Sequence, residues 1–546
     1  MALSARSAVS IVLLSAGAFA QEGRLASGGV LIPTQACYDV QAYTLNLRVD
    51  PKGKAIEGSL AMVATIVAPT ESITLDLDGR LVVSSVELDG KPVAVQHTAG
   101  RIEVPCPRKA NDEVTVVVAY GGQPRVAPNA PWDGGFTWAK TATGEPWIAT
   151  TCQGEGADLW WPCKDHPSDK PARFDLHITV PAGLVCASNG RLQGIADGKG
   201  GTRTFHWRVG VPIANYSIAL NIAPYELIEA TYQSVAGDEV PVAFYVLPEN
   251  LPQATKALPE FLDHVRHMEE VCGPYPFRAE KYGIVETPHL GMEHQTIIAY
   301  GNKYRKASFD YDWLHHHEMC HEWWANLVTC RDWSDMWIHE GIGTYMQALY
   351  IESRRGHPQY LVEMNTKRRT LGNRRAVAPR EVQDSKEIYF GGGGGGNDIY
   401  YKGSCVMHTL RWLVGDERFF VALRRLAYPD PKLEAVRDGS CVRFEDTEGV
   451  RRILEEHTGR DLAWFFEVYL RQPALPVLHV TRTAAGVDLR WEVPGELPFP
   501  MPVPVVLDGE VQRVEMIDGR ASVPVPAGTE AVVDPDNWVL RRAERG

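Results

Sequence analysis

Two histidines four residues apart, His317 and His321, enclose Glu318 in the run His315-His316-His317-Glu318-Met319-Cys320-His321-Glu322-Trp323-Trp324. No other feature of the chain constrains its fold so tightly. On a helix, positions i and i+4 lie about 40° apart around the axis and about 6 Å apart along it. Helical backbone here lets both imidazoles meet one ion at about 2.0–2.1 Å. Glu318 then lies about 100° further round, where a carboxylate can take a proton from a water beside the ion. Glu340, 19 residues after His321, opens a further helical stretch in Trp337-Ile338-His339-Glu340-Gly341. A hairpin of two helices brings it to the same ion as third ligand. Two histidines and a glutamate form a catalytic zinc set that leaves the fourth position open for water. By helical angle His315, His316 and His339 point away from the ion and are expected in solvent or behind the ligands. Cys320 reads as a packed thiol, and Trp323 and Trp324 as helix packing.

A chain of 546 residues is too long for one hydrophobic core. Its 55 Lys+Arg against 68 Asp+Glu give a net charge of -13, which argues against nucleic acid and against a polybasic membrane anchor. Arg6, the apolar run 8–18 and Ala18-Phe19-Ala20 before Gln21 predict a secretory signal peptide over 1–20. No other stretch approaches 18 apolar residues, so the mature chain is expected to be exported, periplasmic or extracellular, without a membrane segment. Export permits disulfides, and Cys152 with Cys163 or Cys320 with Cys330 are candidate pairs; connectivity stays open. Residues 38–235 alternate in the strand manner between Gly- and Pro-rich turns. Helical periodicity predominates at 257–271, 311–328, 335–354, 401–414 and 449–469. Short strands rich in proline return beyond Pro473. The chain therefore reads as multidomain α+β: an all-β domain at 21–235, a mainly helical domain at 236–472 and a small β-sandwich at 473–546. Gly391–Gly396 satisfies G-x-G-x-x-G trivially and reads as a loop. Lys367-Arg368-Arg369 and Arg374-Arg375 could hold a peptide carboxylate, but read first as a solvated helix face.

The run HEMCHEWWANLVTCRDWSDMWIHEGIGTYMQALY resembles the zinc helix pair of the aminopeptidase N and leukotriene hydrolase family, gluzincin metallopeptidases with H-E-x-x-H, 18 residues, then E. Gly291-Met292-Glu293-His294-Gln295 is similar to that family's G-x-M-E-N motif, with His294 where Asn is usual. Tyr400-Tyr401-Lys402-Gly403 matches its Y-x-K-G, which selects Tyr400 over Tyr401. Residues 151–173 look like the β-domain segment that reaches into the cleft. The resemblance implies a saddle-like N-terminal β domain, a thermolysin-like catalytic domain and one Zn²⁺ per chain on His317, His321 and Glu340. It implies Glu318 as general base, Tyr400 as oxyanion donor, and Glu293, Gln153, Gly291 and Met292 around the substrate's amino end. Removal of the N-terminal residue from peptides with a free amino terminus is the activity implied. A zinc endopeptidase would share the ligands without needing Glu293. A non-catalytic zinc-stabilised binding module would need neither Glu318 nor Tyr400, and both are present. Epoxide hydrolysis implies an extra acid and tyrosine shortly before Tyr400, where this chain has Gly392–Gly396.

Overall fold

The apolar–polar alternation after residue 38 becomes a central strand of an eight-stranded sheet in the computed structural model, which describes residues 26–390, 397–526 and 528–542. The expected signal segment and the glycine tract 391–396 lie outside the described residues. Along Tyr38–Asp50, Tyr43, Leu45, Leu47 and Val49 are buried while Asn46, Arg48 and Asp50 face solvent. A short helix, α1 (Pro33–Ala36), precedes this strand. The strand pairs antiparallel with Ala55–Ile66 and parallel with Arg173–Pro181. Beneath it Trp161 packs edge-on against Tyr43 and Phe174, with ring centroids 5.0 Å apart in each pair. The strand Pro146–Thr151 belongs to a separate four-stranded sheet, and the loop after it carries Gln153.

A second, five-stranded sheet runs Glu226–Gln233, Glu239–Val246, Tyr282–Glu286, Ile298–Tyr300, Gly291–Met292 in spatial order. Its first two strands form one hairpin, paired from Glu226↔Val246 to Gln233↔Glu239. A break at 235 falls inside that hairpin's turn, so strand pairing sets the start of the second unit near 225. The edge strand Gly291–Met292 delivers Glu293.

Helices fill the rest of this unit: α2 (Leu251–Cys272), α3 (Trp313–Cys320), α4 (Trp337–Arg355), α5 (His357–Arg369), α6 (Ser385–Phe390), α7 (Asp398–Val414), α8 (Asp416–Ala427) and α9 (Thr447–Thr458). Residues Trp337 to Ile351 of α4 are all buried, so it is the axis of the unit. The helix expected over 311–328 stops at Cys320, and Glu322–Leu327 continues irregularly, with φ −103° and ψ 65° at Trp324. The expected 449–469 helix is α9 followed by a separate helical piece over 463–471. Helices α1, α5, α6 and α8 lie outside the stretches of predicted helical periodicity, though 367–369 in α5 reads from the sequence as a helix face. α5 is mostly polar and buries only Tyr360, Met364 and Lys367; α8 carries a readable stripe of Phe419, Ala422, Leu423 and Leu426. Beyond it, two three-stranded sheets, built on 477–492 with 520–524 and on 503–514 with 531–533, form the C-terminal β unit. No helix among the described residues is long and apolar enough to cross a membrane.

Neither candidate disulfide forms: all ten cysteines are free. Cys320 turns its thiol onto the carbonyl of His317, 2.8 Å away in its own helix, while Cys330 lies in the strand Val328–Cys330.

The contact that fixes the site's frame is between backbones. A Cβ on Gly341 would fall 2.9 Å from Gly403 Cα and 2.9 Å from Ile399 O. A Cβ on Gly403 would fall 2.7 Å from Gly341 Cα. Glycine at both positions lets α4 and α7 touch, one residue after Glu340 and three after Tyr400. Gly403→Ala should therefore force the helices apart at a cost of about 1–3 kcal/mol. Urea unfolding tests this, and an unchanged midpoint would show that the contact is slack.

Candidate active site

Helix α3 starts at Asp312, whose carboxylate accepts from His315 N at 3.1 Å and is held by Tyr300 and Asn302. One turn on, His317 Nε2 and His321 Nε2 lie 3.3 Å apart. Glu340 Oε2, from the first turn of α4, lies 3.4 Å from the former and 3.5 Å from the latter. A regular tetrahedron with bonds of about 2.0–2.1 Å has edges of about 3.3–3.4 Å, so the three donors fit a zinc ion with one position left open. Glu340 Oε2 is buried without a hydrogen-bond partner among the described residues, whereas Glu340 Oε1 is occupied. The orphan oxygen is the one facing the imidazoles. Cys320 Sγ also lies near both histidines, but its thiol is committed to the His317 carbonyl, and burial raises its pKa well above the usual range.

The irregular turn after Cys320 has a use. It returns the Trp324 carbonyl to His321 Nδ1 at 2.8 Å, which fixes the ring with Nε2 toward the donor triangle. A continuous helix would have carried that carbonyl away along the axis.

Glu318 lies beside the triangle, against Gly291. A Cβ there would fall 2.6 Å from Glu318 Oε1, so the glycine makes room for the carboxylate. Glu293 is buried and accepts from Gln153 Nε2 at 2.5 Å and Tyr216 OH at 3.0 Å. Tyr400 OH donates to Glu340 Oε1 at 3.0 Å. These groups and Met292 line one cavity of about 440 Å³, walled on another side by Phe309, Tyr311 and Trp313. Every residue expected at the site is therefore in or at one cleft.

Burial pushes the carboxyls of Glu318, Glu293 and Glu340 up. Glu293 and Glu340 add to the effect at Glu318, and His321 opposes it at the other two. Burial, then Lys367, brings the His317 imidazole down to about 4, so it is neutral and ready to ligate. Ionised, the three acids carry three negative charges, which one dication and one ammonium would balance.

Of the two places expected for His315, His316 and His339, solvent is excluded, since all three are buried: His315 bridges His264 Nδ1 at 2.9 Å and Tyr282 OH at 2.6 Å, and His339 Nε2 accepts from Cys330 N at 2.9 Å. Trp323 and Trp324 are fully buried, as expected. Lys367 is not on a solvated face; it lines the cleft, paired with Glu363. Arg368 reaches Asn537 in the C-terminal unit. Tyr216 and Tyr389 were missed. Tyr216 sits in a strand-like run with no local signal. Tyr389 stands just before the glycine tract, and its OH lies 3.2 Å from both Gln153 Oε1 and Glu340 Oε1.

A three-donor centre with an adjacent carboxylate and phenol defines a site of the metallohydrolase type. The Peptidase family M1 domain model matches residues 280–428, and the Peptidase M1 N-terminal domain model matches residues 39–216. The chain belongs to the peptidase M1 family. It is 25% identical over 499 residues to aminopeptidase M1-B of Oryza sativa subsp. japonica, covering 84% of this chain and 52% of the relative. To endoplasmic reticulum aminopeptidase 1 of Mus musculus it is 23% identical over 397 residues, covering 65% and 41%. It thus spans about half the length of the curated relatives it matches. An M1 zinc metallopeptidase of Deinococcus radiodurans, solved as an alanine mutant bound to a Tyr-Ser-Ala substrate, shares the fold. The TM-score is 0.66 at 23% identity, over 81% of this chain and 95% of that one.

His294, where Asn was expected, is buried with neither ring nitrogen hydrogen-bonded among the described residues, and burial brings it down to about 3. Unfolded, it titrates near about 6.5. Only the unfolded chain gains its proton between those values, so its contribution is present above about 6.5 and is lost as pH falls toward 3. Metal-free wild type should lose about 1.4 kcal/mol relative to His294→Asn between pH 7.5 and 5.5. Paired urea titrations measure it; parallel pH profiles would contradict a neutral buried imidazole.

Proposed function

We propose that this protein is a zinc-dependent aminopeptidase that hydrolyses the N-terminal residue from peptides with a free amino terminus. The observation that carries the reading is Glu293. It is a buried carboxylate in the same cavity as His317, Glu318, His321 and Glu340, and no Lys or Arg pairs with it among the described residues. An uncompensated buried acid beside a hydrolytic centre suits an incoming ammonium. Zinc held by His317, His321 and Glu340 would supply Lewis acidity, lowering a water's pKa toward about 7 and polarising a carbonyl.

The chain's own residues supply the rest. Glu293 accepts the substrate ammonium, and Gln153 Oε1 is a second acceptor within the same cluster. That places the first peptide bond over the donor triangle, so exopeptidase action is a constraint of distance. Glu318 takes a proton from the attacking water and passes it to the leaving amine. Tyr400, leaving Glu340 Oε1, donates to the oxygen that gains charge, a contribution of about 3–4 kcal/mol for a donor of this kind. Membership of the M1 family and the aminopeptidase names of the relatives support this reading. Export rests on the 1–20 segment; N-terminal sequencing of the mature protein should begin at Gln21, and an intact Met1 would contradict it.

Glu318→Gln should keep zinc and lower kcat by about 10²–10⁴-fold; near-wild-type turnover would remove Glu318 as the base. Acetylating the amino terminus of a peptide should lower kcat/KM at least about a hundredfold, because Glu293 is then left without a charged partner. Equal cleavage of blocked and free peptides would favour the endopeptidase reading.

A further inference from the structure

The chemistry above uses Tyr400 and leaves Tyr389 without a role, although both hydroxyls reach Glu340 Oε1, at 3.0 and 3.2 Å. Tyr389 sits on α6, which is fastened to the loop that carries Gln153. Ser385 Oγ donates to Gly154 O at 2.5 Å and accepts from Ser27 N at 3.1 Å, and Lys386 pairs with Glu155. The Tyr389 hydroxyl is thereby placed 3.2 Å from Gln153 Oε1 as well as from Glu340 Oε1. Gln153 cannot offer its amide hydrogens in return, since Nε2 donates to Glu293 Oε1 at 2.5 Å and so fixes the amide's orientation. The Tyr389 hydroxyl faces these two acceptors and is also hydrogen-bonded to the Tyr400 hydroxyl, and a phenol has one proton to give.

We infer that Tyr389 is a positioning residue that joins the amine anchor to the metal carboxylate through the chain Glu293–Gln153–Tyr389–Glu340. When its proton goes to Glu340 Oε1, the carboxylate is held with Oε2 toward the two imidazoles. When it goes to Gln153 Oε1, Tyr400 alone holds Glu340. A substrate ammonium donating to Gln153 Oε1 competes with Tyr389 for that oxygen and returns the phenol's proton to Glu340. That happens at the step where Tyr400 must leave for the substrate oxygen. Two tyrosines on one carboxylate oxygen are then not redundant: one stays while the other moves.

The inference rests on His317, His321 and Glu340 being a zinc site, and its test reads the metal rather than turnover. Full-length protein is stripped with chelator, and zinc affinity is measured by competition with a chromophoric chelator, together with the melting temperature of the metal-free form. Tyr389→Phe, which removes only the oxygen, should weaken zinc binding by about 10–100-fold. Gln153→Met removes the competing acceptor and should leave zinc affinity unchanged or tighter. A packing role would weaken both variants together and lower both metal-free melting temperatures. Zinc affinity of Tyr389→Phe within threefold of wild type, or an equal loss in Gln153→Met, would overturn the inference. Wild-type protein that takes up no zinc would overturn the metal reading itself and this inference with it.

Discussion

Three buried carboxylates in one cleft govern this molecule. Glu293, Glu318 and Glu340 repel one another, and burial makes each charge costly. Each is anchored by a different device. Glu340 gives one oxygen to two phenols and keeps the other for the imidazoles. Glu293 is held by Gln153 and Tyr216, and Glu318 rests where Gly291 has no side chain. The arrangement is stable when positive charge enters, and the two charges that fit are a dication and an ammonium. A metal cation and the proposed substrate ammonium would both be favoured by the electrostatics that make the three charges costly.

Backbone geometry supplies the precision. Glycines 341 and 403 bring α4 and α7 into direct contact, which sets the separation of Glu340 and Tyr400 without any intervening side chain. The interruption after Cys320 sacrifices helix continuity so that the Trp324 carbonyl can orient His321. The N-terminal unit contributes Gln153 from a loop, and α6 is tied to that loop by Ser385 and Lys386. Glu318 shares α3 with His317, and His321 caps that helix, while Glu340 comes from α4, Glu293 follows the edge strand Gly291–Met292 and Gln153 comes from the N-terminal unit.

The donor triangle was legible because metal chemistry favours a spacing: i and i+4 on a helix put two imidazoles on one face, within reach of one ion. The β–helical–β order was legible because strand and helix periodicities differ. What could not be read has a physical reason in each case. Tyr389 reaches the site through tertiary packing of a six-residue helix, and no periodicity marks it. Lys367 looked solvated because α5 is polar on most of its faces, yet the cleft lies under one of them. The break after α3 goes with a hydrogen bond between the Trp324 carbonyl and a ring nitrogen, which propensity does not encode. Pairing of Glu226–Gln233 with the next strand moves that hairpin into the second unit, although its composition matches the first.

The central claim is that one divalent ion is held jointly by His317, His321 and Glu340. An anomalous difference map collected across the zinc absorption edge, on crystals of the zinc-loaded protein, tests it most directly. The account predicts one peak per chain, about 2.0–2.1 Å from His317 Nε2, His321 Nε2 and Glu340 Oε2, with a fourth position open to the cleft. A peak bound through Cys320 Sγ, or no peak between the two helices, would contradict it.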